Sequence, residues 1–118
     1  MRLSFVVPGR PVAWSRAGRS GFRSYTPAKV KAYQDRIRAE WADADTRHWP
    51  LLERYKVQVH AWWWHWEGDV DNHAKQVMDA LQGHAWDNDR QVDALLSTKA
   101  KADSEADAGL VVTVEVIE

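Results

Sequence analysis

The residues of this chain best placed to do chemistry are Asp69, Asp71 and Lys75, in the run Gly68-Asp69-Val70-Asp71-Asn72-His73-Ala74-Lys75, together with Asp89, eighteen residues after Asp71. Two carboxylates two residues apart, a lysine four residues on and a third carboxylate suit a hard divalent cation. Such cations take oxygen ligands, and Mg²⁺ sits on one or two carboxylates with water and phosphate oxygens around it. At a strand end Asp69 and Asp71 would share a face, because side chains alternate with period two. If a helix starts near Asp71, then Lys75 and Asp79 follow on the same side at i+4 and i+8. The chemistry this set suits is metal-assisted cleavage of a phosphodiester. Blander readings attach to the members singly. Asp71 suits a helix start, where the dipole favours an acid; Lys75 is then its solvated i+4 partner, and Asp89 belongs to a turn-forming Asp87-Asn88-Asp89 cluster. None of these accounts for the whole set.

Other chemistries fare worse. There is no cysteine, which excludes disulfides, thiolate metal sites and a cysteine nucleophile. His60, His65, His73 and His84 offer a rival zinc site, but no pair has the i, i+4 spacing of a His-Glu-x-x-His helix, and His60 and His65 fall on opposite faces of a strand. No Gly-x-Ser-x-Gly elbow supports a serine hydrolase.

The elements that must position the acids are read from pattern. At 118 residues the chain is one domain, 1–118, large enough for a core of its own. No run approaches ~18 apolar residues, and Met1 to Val7 is too short for a signal peptide, so a soluble, cytoplasmic protein without membrane contact is expected. Leu3 to Val7 reads as a strand closed by Pro8-Gly9-Arg10-Pro11. Thr26-Pro27 reads as an N-cap and first helical position, and Val30, Tyr33, Ile37 and Trp41 recur at helical spacing, predicting a helix over 27–43. Residues 44–54 are a linker. Lys56 to Trp66 is a strand that contains Trp62-Trp63-Trp64-His65-Trp66, whose tryptophans imply cover on both faces. Asn72 to Gln82 is helical, with Ala74, Val77, Met78 and Leu81 on one face and Gly83 as its stop. A strand over Gln91–Thr98, a mobile charged segment over 99–108 and a final strand over Gly109–Ile117 complete the chain. The predicted class is α+β, a mixed sheet of about four strands with two main helices on one face.

Charge is divided along the chain. Residues 1–38 hold nine Lys/Arg and one acid, whereas the rest hold seven Lys/Arg and sixteen acids. That places a polyanion-binding part before a cation-binding part. Residues 14–25 interleave Arg16, Arg19 and Arg23 with Trp14, Phe22 and Tyr25, a composition that suits phosphates and unstacked bases. The alternative is an exposed loop whose rings fold back on the core. Arg10 and Lys29 extend the basic set; the lysines and arginines of the first helix serve equally as a solvated face.

The run Asp69-Val70-Asp71-Asn72-His73-Ala74-Lys75, then Asp79-Ala80-Leu81, then Asn88-Asp89-Arg90-Gln91-Val92 resembles the RusA-type Holliday junction resolvases. Val7-Pro8-Gly9-Arg10-Pro11-Val12 and Ser24-Tyr25-Thr26-Pro27 are also similar to that family, so the resemblance covers nearly the whole chain. His73 departs from an apolar position and Asn88 from an acidic one. The resemblance implies a homodimeric endonuclease that uses Mg²⁺, with Mn²⁺ as substitute, to nick four-way DNA junctions in symmetric pairs. Asp69, Asp71 and Asp89 would be metal-binding catalytic acids, Lys75 the essential lysine and Asp79 an outer group. No small-molecule cofactor is implied. A binding module without catalysis and a nuclease for other branched DNA remain open beside it.

Overall fold

The structure, a computed structural model, describes residues 1–15 and 27–118, and the backbone alone of 18–20 and 23–25. Arg16, Phe22 and Thr26 lie outside the described residues, as do the side chains of Arg19, Arg23 and Tyr25.

Four strands form the main sheet: β1 (Arg2–Pro8), β4 (Tyr55–Trp63), β5 (Val92–Lys101) and β6 (Gly109–Val116), in the order β1-β6-β4-β5. β6 is antiparallel to both neighbours, while β4 and β5 run parallel. Alternation decides which face is buried. Phe5 and Val7 of β1 lie in register with Val112 and Leu110 of β6, which in turn face Val59 and Ala61 of β4. All six are buried. Against them pack α1 (Ala28–Asp43), through Tyr33, Ile37 and Trp41, and α2 (Val70–Leu81), through Val77, Ala80 and Leu81. This is the expected α+β arrangement. No helix among the described residues is long and apolar enough to cross a membrane.

The structure departs from the sequence expectations in five places. A small hairpin, β2 (Gly18–Ser20) with β3 (Arg23–Tyr25), stands where no apolar pattern marks a strand. α1 begins at Ala28, and Pro27 is its cap residue, its carbonyl accepting from the N–H of Val30 and Lys31. β4 stops at Trp63, because the chain reverses in a tight turn: the Trp66 N–H donates to the Trp64 carbonyl at 2.9 Å, with His65 at a φ of 68°. The tryptophans there are not core: Trp62 and Trp66 are exposed, and Trp63 and Trp64 half-buried. Residues 99–101 belong to β5, pairing with Ala61, Trp62 and Trp63, and Glu105–Asp107 is a 3₁₀ turn, so the 99–108 segment is largely ordered.

The parallel pair dictates where α2 must go, since parallel strands need a crossover rather than a hairpin. α2 is that crossover, and its first two turns are fastened from several sides. Ser97 Oγ of β5 donates to the Val70 carbonyl at 2.6 Å, and Lys99 Nζ donates to the Gly68 carbonyl at 2.8 Å. Gln76, fully buried, accepts from Gln34 of α1 at 2.9 Å and donates to the Val12 carbonyl at 2.8 Å. The Trp14 N–H donates to the Asn72 carbonyl at 3.0 Å. The loop after β1 is thereby tied to α2.

Gly68 is required at this junction. It has a φ of +67°, and a Cβ there would lie 2.7 Å from His73 Nε2 and 2.9 Å from Ala13 Cβ. Gly68→Ala should cost about 1–2 kcal/mol from the backbone alone, with the two close contacts adding to it. Urea unfolding of the two proteins measures this; an unchanged midpoint would contradict the close packing.

Candidate active site

Asp69 is the cap residue of α2. Its carbonyl accepts from the N–H of Asn72 and His73, while its carboxylate makes no capping hydrogen bond. Asp71 stands in the first turn, at the positive end of the helix dipole. Lys75 and Asp79 follow on the same stripe, their charged ends 3.6 Å apart. The Lys75 ammonium also lies 4.9 Å from the centre of the Trp14 ring, a cation–π contact that ties it to the loop after β1.

Asp89 comes from the one-turn 3₁₀ helix Asp89–Gln91 that precedes β5. Its Oδ1 accepts from the indole N–H of Trp86 at 2.7 Å, and its own N–H donates to Gln82 Oε1 at 3.2 Å. Trp86 is fully buried, so the carboxylate is held against a rigid donor. The turn is capped reciprocally: Asn88 Oδ1 accepts from the Arg90 N–H, and Gln91 Oε1 accepts from the Asn88 N–H. Gln91 Nε2 then donates to the carbonyls of Leu51 and Glu53. An asparagine at position 88 therefore serves the turn.

Asp71, Lys75, Asp79 and Asp89 line one hollow between α2 and β5, with Leu95 and Ser97 on its wall. Asp69 lines a neighbouring hollow instead, shared with Arg10, Trp14, Lys29 and Trp66. Among the described residues, no three His, Asp or Glu side chains are gathered closely enough to hold a metal ion. The donors in the first hollow are hard carboxylate oxygens, which fits Mg²⁺, a cation that uses one or two carboxylates and keeps its waters.

His73, at an otherwise apolar position, is buried, and its Nε2 lies 2.9 Å from the Glu67 carbonyl. A carbonyl only accepts, so Nε2 carries the proton. Burial holds this imidazole below its ordinary pKa, against the opposing pull of that hydrogen bond. A neutral ring suits the slot. His60 sits on the far face of the sheet, beside Thr98 and Trp62.

Of the basic residues, Arg10 donates to Glu105 at 2.8 Å and Lys29 is exposed. The expectations for Arg16, Arg19 and Arg23 fall on side chains outside the described residues. Sequence reading missed Trp86 as the group that orients Asp89; its position three residues before the acid was the available signal. It also missed Gln76, for which a polar residue among α2's buried positions was the sign.

No curated protein matches the chain. The family model described as Endodeoxyribonuclease RusA matches residues 8–115. That span takes in the loop after β1, both helices and the turn that carries Asp89, and the chain belongs to the RusA endodeoxyribonuclease family.

Proposed function

We propose that this endodeoxyribonuclease resolves four-way DNA junctions by paired, symmetric nicks, with Asp71, Lys75 and Asp89 as the working residues and a divalent cation as cofactor. The observation that carries the reading is the hollow along α2, where these three side chains meet Asp79 on an open surface. Asp71 and Asp89 would hold Mg²⁺, or Mn²⁺ in its place, with Asp69 beside them. When bound, the ion supplies a polarised phosphoryl oxygen and a water of lowered pKa. The Lys75 ammonium neutralises charge that grows on the phosphorus oxygens as the bond breaks. Asp79 keeps that ammonium in place, and the Trp86 indole keeps Asp89 turned into the hollow. Lys29 and Arg10 supply phosphate contacts beside Asp69.

A four-way junction has two-fold symmetry, and opposed nicks need two sites related by the same axis, hence a homodimer. The sheet face turned away from the helices exposes Val6, Trp62 and Leu96, at 50%, 40% and 53%. A second copy would cover these three side chains.

Cleavage of a synthetic immobile junction, beside linear duplex, tests the reading. With Mg²⁺ or Mn²⁺ the wild type should nick the junction symmetrically, and chelation should abolish cutting. Asp71→Asn should lose about 10³-fold in cleavage, several kcal/mol of metal-assisted stabilisation, while it still binds. Binding without any cut by the wild type would instead support a binding module, and equal cutting of flaps or forks a broader nuclease.

Trp86→Phe removes the donor to Asp89 but touches no surface. Single-turnover cleavage should fall about 10–100-fold, as for other groups that orient metal ligands, with junction affinity unchanged. Equal loss of affinity would show general damage. Lys29→Ala should weaken binding alike for all sequences and reduce the salt slope by about 1, the signature of a single phosphate contact; an unchanged slope would remove Lys29 from the interface.

A further inference from the structure

The hollow beside Asp69 has a composition that phosphate binding alone does not require. It lies between the loop after β1 and the Gly68–His73 start of α2, and encloses about 440 Å³, within the range of small-ligand sites. Two indole rings line it, Trp14 from the loop and Trp66 from the turn beyond β4. Asn72 and Ser15, both with polar side chains, also line it, as do Lys29 and Arg10. Trp66 is 74% exposed, although a ring of that size costs free energy to leave in water. It is held out there by the turn at His65, whose φ of 68° is uncommon for a residue with a Cβ. Trp14 joins the two hollows, since its ring also meets the Lys75 ammonium.

We infer that this hollow receives one unstacked nucleobase of the DNA next to the phosphate that is cut, with Trp66 and Trp14 as its stacking surfaces and Asn72 at its polar edge. The inference rests on the reading of the chain as a junction nuclease and extends it to how the cut position is chosen. Every base has a flat apolar face, so stacking gives affinity for any of the four. An amide at the edge adds discrimination, as asparagine does when it pairs with adenine through two hydrogen bonds. In a duplex a base is closed in by its partner and its stacked neighbours, so stacking on Trp14 and Trp66 requires a base freed from them. Branch points supply such bases at lower cost than continuous duplex does. The neighbouring Asp69 places the base beside the acidic centre, and its phosphate would then lie towards Lys75.

The test scans a junction with one abasic nucleotide at each position flanking the nick, against wild type, Trp66→Ala and Trp66→Phe. For the wild type, one position should lose about 5- to 150-fold in cleavage, the range for one base stacked on an aromatic ring. Trp66→Ala should lose a similar factor on the intact junction and be indifferent to the abasic nucleotide at that position, while Trp66→Phe stays near wild type. The exposure of Trp66 keeps the fold intact in both variants. Losses that multiply at every position, with no coupling between ring and base, would overturn the inference even where junction cleavage is normal. Failure of the wild type to cut the intact junction bears on the nuclease reading instead. The same coupling, read as junction affinity with metal chelated, then decides the base site: present, it stands; absent, it falls.

Discussion

The parallel pairing of β4 with β5 is the constraint on which the rest of this structure depends. An antiparallel neighbour could have been reached by a two-residue turn, but a parallel one needs a return path the length of the strand. α2 is that path. Its first two turns are clamped to β5 through Ser97 and Lys99, to the loop after β1 through Trp14 and Gln76, and to α1 through Gln34. The acids on α2 are thereby set on a fixed helix against a fixed strand. Asp89 joins them because the chain must pass from α2 into β5 close by, in a turn that caps itself.

Electrostatics organises the surface that this scaffold exposes. The acidic stripe of α2 would repel itself without a cation, and Lys75 partly relieves this by standing between Asp71 and Asp79. The same lysine leans on the Trp14 ring, so the acidic hollow and the aromatic, basic one share a wall. Positive charge from the first part of the chain arrives at that wall as Arg10 and Lys29. Acidic and basic parts, separate in sequence, are neighbours in space.

The legible parts of the fold were those with strong local periodicity. The spacing of Val30, Tyr33, Ile37 and Trp41 marks α1, and the i, i+4, i+8 series of Asp71, Lys75 and Asp79 marks the outer stripe of α2. The β-branched run of β6 is equally plain. What escaped was set by contacts between distant residues or by backbone geometry. Ala100 and Lys101 are strand because β4 is there to pair with them. The tryptophan run leaves the sheet at His65, whose positive φ no composition announces. The sequence of the β2–β3 hairpin carries no apolar alternation that would reveal it. For the site, residue types and order were readable, but the division between two hollows was not. Which wall Asp69 lines depends on where Ala13 and Trp14 are tied down, 56 and 55 residues before it in the chain.

The proposed nuclease needs a divalent cation in the hollow along α2, and locating that ion in solution is the direct test. Substoichiometric Mn²⁺ added to labelled protein broadens the backbone amide signals nearest to it. The first turns of α2 and the Asn88–Gln91 turn should broaden first, and Asp71→Asn should remove the effect. Broadening centred on His60 of the far sheet face, or spread evenly over the surface, would contradict that placement.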